Sequence, residues 1–192
     1  MQKKLFGALA VALLCVSASA SADPLFGGNH PLRLGFGGDV GVPSGASLGL
    51  VVHPKQDWIS VQPSLTYNGL AFGGRLALKL DPMALINHAN LPIGLFADVQ
   101  GGFFGQGTVP GHSADLPGVG YDYVNLYGGL RLGKPNGFHW NFEVGPTYMH
   151  VNTNNFQAVL NNSNTSGLTV GNPTANGWLV PTFITGFEVV WP

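Results

Sequence analysis

From residue 32 onward the chain alternates apolar and polar or small residues with a period of two, the signature of strands with one apolar face. Eight such runs can be read. The first sets Leu32, Leu34, Phe36, Val40 and Val42 against Arg33 and Asp39, and the second carries Ala46, Leu48, Leu50 and Val52. The third sets Ile59, Val61, Pro63, Leu65 and Tyr67 against Ser60, Gln62, Ser64 and Thr66, and the fourth sets Leu70, Phe72, Leu76, Leu78 and Leu80 against Arg75 and Lys79. The fifth sets Ile93, Leu95, Ala97, Val99 and Phe103 against Phe96, Asp98 and Gln100, and the sixth sets Val124, Leu126, Leu130 and Leu132 against Tyr123, Asn125, Tyr127 and Arg131. The seventh sets Trp140, Phe142, Val144, Pro146 and Tyr148 against Asn141, Glu143 and Thr147, and the eighth sets Leu179, Pro181, Phe183, Phe187, Val189 and Trp191 against Thr182, Gly186 and Glu188.

Turn chemistry separates the runs. Pro43-Ser44-Gly45, Pro54-Lys55-Gln56-Asp57 and the stretch 133–137 are breakers, and Asn68-Gly69 reads as a two-residue hairpin loop. Asp81-Pro82 predicts a helix cap followed by proline at the first helical position, hence a short helix in 81–92 lying across one rim. Pro63, Pro146 and Pro181 fall inside runs, where a missing N–H predicts bulges or frayed rims.

The chain opens differently. Lys3-Lys4, an apolar run Leu5–Val16 and Ala20-Ser21-Ala22 compose a secretory signal over residues 1–22, leaving 23–192 as one domain. Its apolar run is too short for a bilayer, which needs about 20 residues. Cys15 is the chain's single cysteine, so the domain is expected to have neither a disulfide nor a thiol-based metal site.

Charge then narrows the class. Only 9% of residues are Asp, Glu, Lys or Arg, against about 25% in an ordinary soluble domain. Much of the surface is therefore expected to face something other than water. No basic patch exists for nucleic acid. No stretch after residue 22 is a long apolar helix, so the remaining way to span a membrane is a closed barrel, in which every backbone group pairs between strands. The fold class expected is all-β, an eight-stranded antiparallel up-and-down transmembrane barrel.

The ionisable residues of the runs agree. Arg33, Asp39, Arg75, Lys79, Asp98, Arg131, Glu143 and Glu188 all take the polar parity, four basic and four acidic. A lysine or arginine facing lipid at mid-bilayer costs roughly 2–4 kcal/mol, whereas lumen charges are stable when paired. They are read as a lumen network, with Arg33–Glu188, Arg75–Asp98 and Arg131–Glu143 as the expected partners. With both ends of the domain on the inner side, the two longest connections, 105–120 and 152–177, fall outside, as bacterial barrels prefer. Both are polar and could contact a surface ligand.

The strand count, the signal segment and a last strand whose apolar Phe187, Val189 and Trp191 end in an aromatic resemble the small eight-stranded bacterial outer-membrane barrels, such as the OmpA membrane domain, OmpX and OmpW. The resemblance implies an outer-membrane location, lipid as surroundings, and reading of Phe187, Val189 and Trp191 by the barrel-assembly machinery. Pro192 after Trp191 departs from that pattern. Some small barrels are lipid A deacylases with His, then Ser two residues on, and Glu; here His150-Val151-Asn152 puts Asn at the Ser position. The scattered histidines, His30, His53, His88, His112, His139 and His150, have no metal-motif spacing and read as loop or interfacial residues. The function expected is non-enzymatic, structural or surface-interacting, with no cofactor. A narrow channel for small or apolar solutes is the alternative, and a lipid-modifying enzyme ranks behind it.

Overall fold

The computed structural model describes residues 32–54, 58–69, 71–85, 91–105, 120–151 and 177–191. The signal segment, His30, His88, His112, Leu70, Pro192 and almost all of 105–120 and 152–177 lie outside the described residues.

Eight strands form a closed antiparallel barrel in which each pairs with its sequence neighbours and the last pairs with the first. They are β1 (Arg33–Gly41), β2 (Gly45–His53), β3 (Ile59–Tyr67), β4 (Phe72–Leu80), β5 (Ile93–Phe104), β6 (Tyr121–Gly133), β7 (Phe138–Val151) and β8 (Gly177–Val190). The start of β1 and the end of β8 share one rim, called the terminal rim below; the other is the far rim. A short helix, α1 (Pro82–Leu85), follows β4 at the terminal rim. The Met83 amide donates to Asp81 Oδ1 at 2.9 Å, the cap expected from Asp81-Pro82.

The register fixes the shape. One circuit of paired residues runs Glu188, Gly37, Gly49, Ser64, Arg75, Gly102, Tyr123, Met149 and back to β8 at Trp178. It returns 10 residues from its start. With eight strands, about 3.3 Å of rise per residue and about 4.8 Å between strands, that stagger implies a tilt of about 40° and a backbone radius of about 8 Å. A cylinder of that size is filled by its own inward side chains.

How it is filled is visible between β5 and β6. Phe96 sits opposite Gly129, Gly102 opposite Tyr123, and Gly94 opposite Arg131. A Cβ on Gly129 would overlap the Phe96 ring, and one on Gly102 would overlap the Tyr123 phenol. Each large inward group thus occupies the space its glycine partner leaves.

Two sequence expectations change. The turn after β3 is closed by Asn68 and Ala71, with the Asn68 amide on the Ala71 carbonyl at 3.2 Å and the Ala71 amide on Asn68 Oδ1 at 2.8 Å. Gly69 takes φ +91 inside it, so the loop is displaced one residue from Asn68-Gly69. The prolines do not make bulges. Register is constant through Pro63 and Pro146, and only single stretches of the ladder drop out, opposite Leu50–Val51 and Leu126–Tyr127. Pro146 faces Pro181 directly. Two prolines can face each other only at a non-hydrogen-bonded site, because neither has an N–H to give. On its other side Pro181 lies past the end of the β1 ladder, which stops at Gly41–Ile184.

Alternation sorts the side chains. Leu65, Phe72 and Leu179 on the outside are 75%, 76% and 72% exposed, whereas inward Asp98, Asn125 and Thr147 are 0% exposed. Most exposed aromatics lie toward the two rims, Phe138, Trp140 and Trp191 on the terminal side and Tyr67, Phe72, Tyr148 and Trp178 on the far side, while Phe142 and Phe183 lie between them. Aliphatic side chains such as Leu48, Leu95, Val99, Leu126 and Val144 occupy the zone between. Trp140 and Tyr148 are eight residues apart on one face of β7, about 20 Å along the axis at the tilt above. Among the described strand residues, the outward-facing ionisable acids, bases and histidines are Asp122 and His150 alone. They sit opposite one another next to the far ends of β6 and β7.

Candidate functional site: the lumen network

Inside the barrel the polar faces of all eight strands converge. Their parity, set by the period-two pattern, is what aims them inward. Arg33, Arg75, Asp98, Arg131, Glu143 and Glu188 are all buried; the Asp39 and Lys79 side chains each retain 12% exposure.

The middle of the lumen is organised by Gln100. Its Nε2 donates to Asp98 Oδ2 at 2.7 Å and to Glu143 Oε2 at 2.9 Å. Its Oε1 accepts from Asn125 Nδ2 at 3.1 Å and, at longer range, from Arg75 Nη1 at 3.4 Å. Both amide hydrogens and both oxygen lone pairs are thereby used. Arg75 reaches across to β1, pairing with both Asp39 oxygens in a fork, with Nη1 to Oδ1 at 2.9 Å. Its Nη2 also donates to Ser47 Oγ at 2.9 Å.

Toward the terminal rim the hub is Lys79. Its ammonium pairs with Glu143 Oε1 at 3.1 Å and with Glu188 Oε1, and stands 5.2 Å from the Phe96 ring centre. Glu188 also accepts from Asn141 Nδ2 at 2.9 Å and meets His139 Nε2 at 3.1 Å. Arg131 Nη1 pairs with Asp81, whose other oxygen caps α1. One carboxylate therefore joins the lumen to the helix that lies at its mouth.

Toward the far rim the lumen closes with rings instead of charges. Ala71, Phe104 and Tyr123 form a buried cluster, flanked by Tyr121 and Met149. The Phe104 ring centre is 4.8 Å from that of Tyr121 and 6.2 Å from that of Tyr123. Tyr121 donates to the Pro43 carbonyl at 2.8 Å, tying the β1–β2 turn over the opening. Below it, Tyr127 bonds Thr182 Oγ1 at 2.8 Å.

All eight charges read from the sequence contribute side chains to this interior, but the expected partners are redistributed. Arg75 pairs with Asp39 across the lumen, not with Asp98, because its register partner is Gly102. Arg131 pairs with Asp81, not with Glu143; opposite Arg131 stands Asn141. Glu188 is held by Lys79, His139 and Asn141, while Arg33 reaches Asn136 in the turn after β6. Asp98 accepts a hydrogen bond from Gln100 and belongs to none of the ion pairs within 4 Å among the described residues. Five residues that matter here were not singled out from sequence: Gln100, Asn141, His139, Asp81 as an ion-pair partner, and Ser47. For the first two and Ser47, strand parity carried the signal. His139 has the same parity as Asn141 but was read as interfacial; it is a buried lumen residue.

His150 is exposed on the outside at the far end of β7. Phe187 and Val189 are half-buried on the outer face of β8, and Trp191 is 54% exposed just past it. No group of three metal-ligating side chains occurs among the described residues. The fold and this interior together define the class: a closed eight-stranded antiparallel barrel with a lumen crossed by hydrogen bonds and ion pairs. Compared with protein-family profiles and with curated protein sequences, the chain matches none.

Proposed function

We propose that this barrel is an integral protein of a bacterial outer membrane, with a structural or surface-interacting role and no catalytic one. The observation that carries the reading is the inversion of polarity: leucine, valine and aromatic side chains cover the outside, and the charges are gathered within. In water such a surface would be one large exposed apolar patch, which monomeric soluble proteins avoid. In a bilayer it is the favourable arrangement, and two aromatic zones about 20 Å apart match the girdles of barrels whose apolar band is about 25 Å tall. The nine-residue β1–β4 are just long enough to cross such a band when tilted. Asp122 and His150 then fall at the outer interface, where charge is tolerated.

The finer likeness to OmpX-like, OmpW-like or OmpA-type barrels belongs to this proposal, as does reading of Phe187, Val189 and Trp191 by the assembly machinery. A surface-interaction role would be carried by the connections 105–120 and 152–177 on the far rim. The network from Asp39 to Glu188 and the aromatic cluster at the far rim support a filled lumen over a conducting one. Planar-bilayer recording tests this: purified protein should give no steady conductance, and a stable open level in most insertions would favour the channel reading instead.

A further inference from the structure

At mid-lumen one amide clamps two carboxyl groups from different strands. Gln100 Nε2 gives one hydrogen to Asp98 Oδ2 at 2.7 Å and the other to Glu143 Oε2 at 2.9 Å. The two carboxyl groups also lie within hydrogen-bonding reach of each other. An ionised carboxylate only accepts, so two of them in contact have no hydrogen to share and repel. Asp98 and Glu143 are 0% and 3% exposed, so water does little to screen that repulsion.

The neighbouring groups do not relieve it. Lys79 stands opposite Asp98 in the β4–β5 ladder, yet its ammonium pairs with Glu143 and Glu188. Arg75 forks onto Asp39. Tyr127, opposite Asp98 in β6, turns its hydroxyl to Thr147 and Thr182. With every acid ionised, three carboxylates would surround the one ammonium of Lys79. A protonated His139, bonded to Glu188, would still leave one negative charge over. The surplus falls on Asp98, because Glu143 and Glu188 each have Lys79, whereas no donor among the described residues reaches Asp98 Oδ1. That oxygen is also sealed, with no surface open to a water molecule or a metal ion. A proton is the one compensating charge that needs no room, and carboxyl groups sharing a site settle as one neutral and one charged. We infer that the folded barrel holds a proton between these two groups, carried by Asp98 and donated in a hydrogen bond to Glu143. The Lys79 hub is then balanced without an ion in the lumen.

Infrared difference spectroscopy of the folded full chain in detergent micelles at neutral pH tests this. Wild type minus Asp98→Asn should show the carbonyl band of a neutral carboxylic acid, shifted in deuterium oxide. A second measurement needs no variant to fold. Isotope-labelling the aspartate side-chain carboxyls of the unmutated protein should move that band, and the same label on glutamate should leave it in place. A difference spectrum showing only the loss of an ionised carboxylate, or a band that moves with the glutamate label, overturns the proposal. Exchanging choline for sodium, or adding calcium chloride, should leave the band unchanged. Its saturable loss with either metal ion would make the pair a cation site and overturn the proton assignment.

Discussion

Lys79 offers the sharpest test of the lumen. Its ammonium is the one base within ion-pair distance of both Glu143 and Glu188 among the described residues, and all three side chains are at least 88% buried, with exposures of 12%, 4% and 4%. Replacing it with methionine keeps the stem and removes the charge. Two carboxylates are then left facing one another, retaining hydrogen bonds from Gln100, Asn141 and His139 but no cation. Breaking a buried pair from one side costs about 3–5 kcal/mol, and the lost contact with the Phe96 ring adds about 0.5–1 kcal/mol. Lys79→Met should therefore destabilise by about 4–6 kcal/mol, a large part of a typical total of about 5–15 kcal/mol. Removing the charges together behaves differently, because an apolar or neutral replacement of a whole buried set is often nearly neutral. The triple variant Lys79→Met, Glu143→Gln, Glu188→Gln should lie within about 2 kcal/mol of wild type. Urea unfolding in lipid vesicles, followed by tryptophan fluorescence and extrapolated linearly, gives the numbers. If the single variant fails to fold while the triple folds, the reasoning stands. A single variant within about 1 kcal/mol of wild type, or a triple as damaged as the single, refutes it.

Gly129→Ala places a methyl group against the Phe96 ring, so it should cost about 1–3 kcal/mol by overpacking and be largely rescued by Phe96→Leu in the same unfolding assay. Asp98→Asn removes a buried carboxyl group that has no ion-pair partner within 4 Å among the described residues. It should raise stability by about 1 kcal/mol or more, and a clear loss would mean that the Asp98 charge is paired after all. A closed barrel has every strand paired on both sides, so unboiled protein should migrate faster on a denaturing gel than boiled protein. Identical mobility would count against closure. In envelope preparations the amino terminus should be Asp23, read by mass spectrometry, and retention of Lys3 would contradict the signal reading.

Strand number and side-chain facing were legible because a period of two leaves no choice: a one-residue slip would turn every leucine inward. The pairings were not. They depend on stagger and on reach across the lumen, and the alternation is blind to both. Arg75 on β4 meets Asp39 on β1, three strands away, a contact set by a tilt of about 40° and a radius of about 8 Å. Asp81 showed why one residue type hides two roles: its cap was readable from Pro82, its pairing with Arg131 was not. The far-rim cluster was not legible because Phe104 and Tyr121 sit at the outer ends of their runs, next to the Gly-rich connection 105–120, where alternation stops assigning a face.

The central claim is that the outward face of the barrel lies in lipid. Nitroxide labels placed singly along β7, from Asn141 to Thr147, in protein reconstituted into vesicles test it most directly. Collision rates with oxygen, which partitions into the bilayer, and with a water-soluble nickel chelate should then oscillate with a period of two. Labels at Phe142, Val144 and Pro146 should favour oxygen strongly, and those at Asn141, Glu143 and Thr147 should be shielded from both. Outward positions more accessible to the nickel chelate than to oxygen would show a barrel in water and contradict the account.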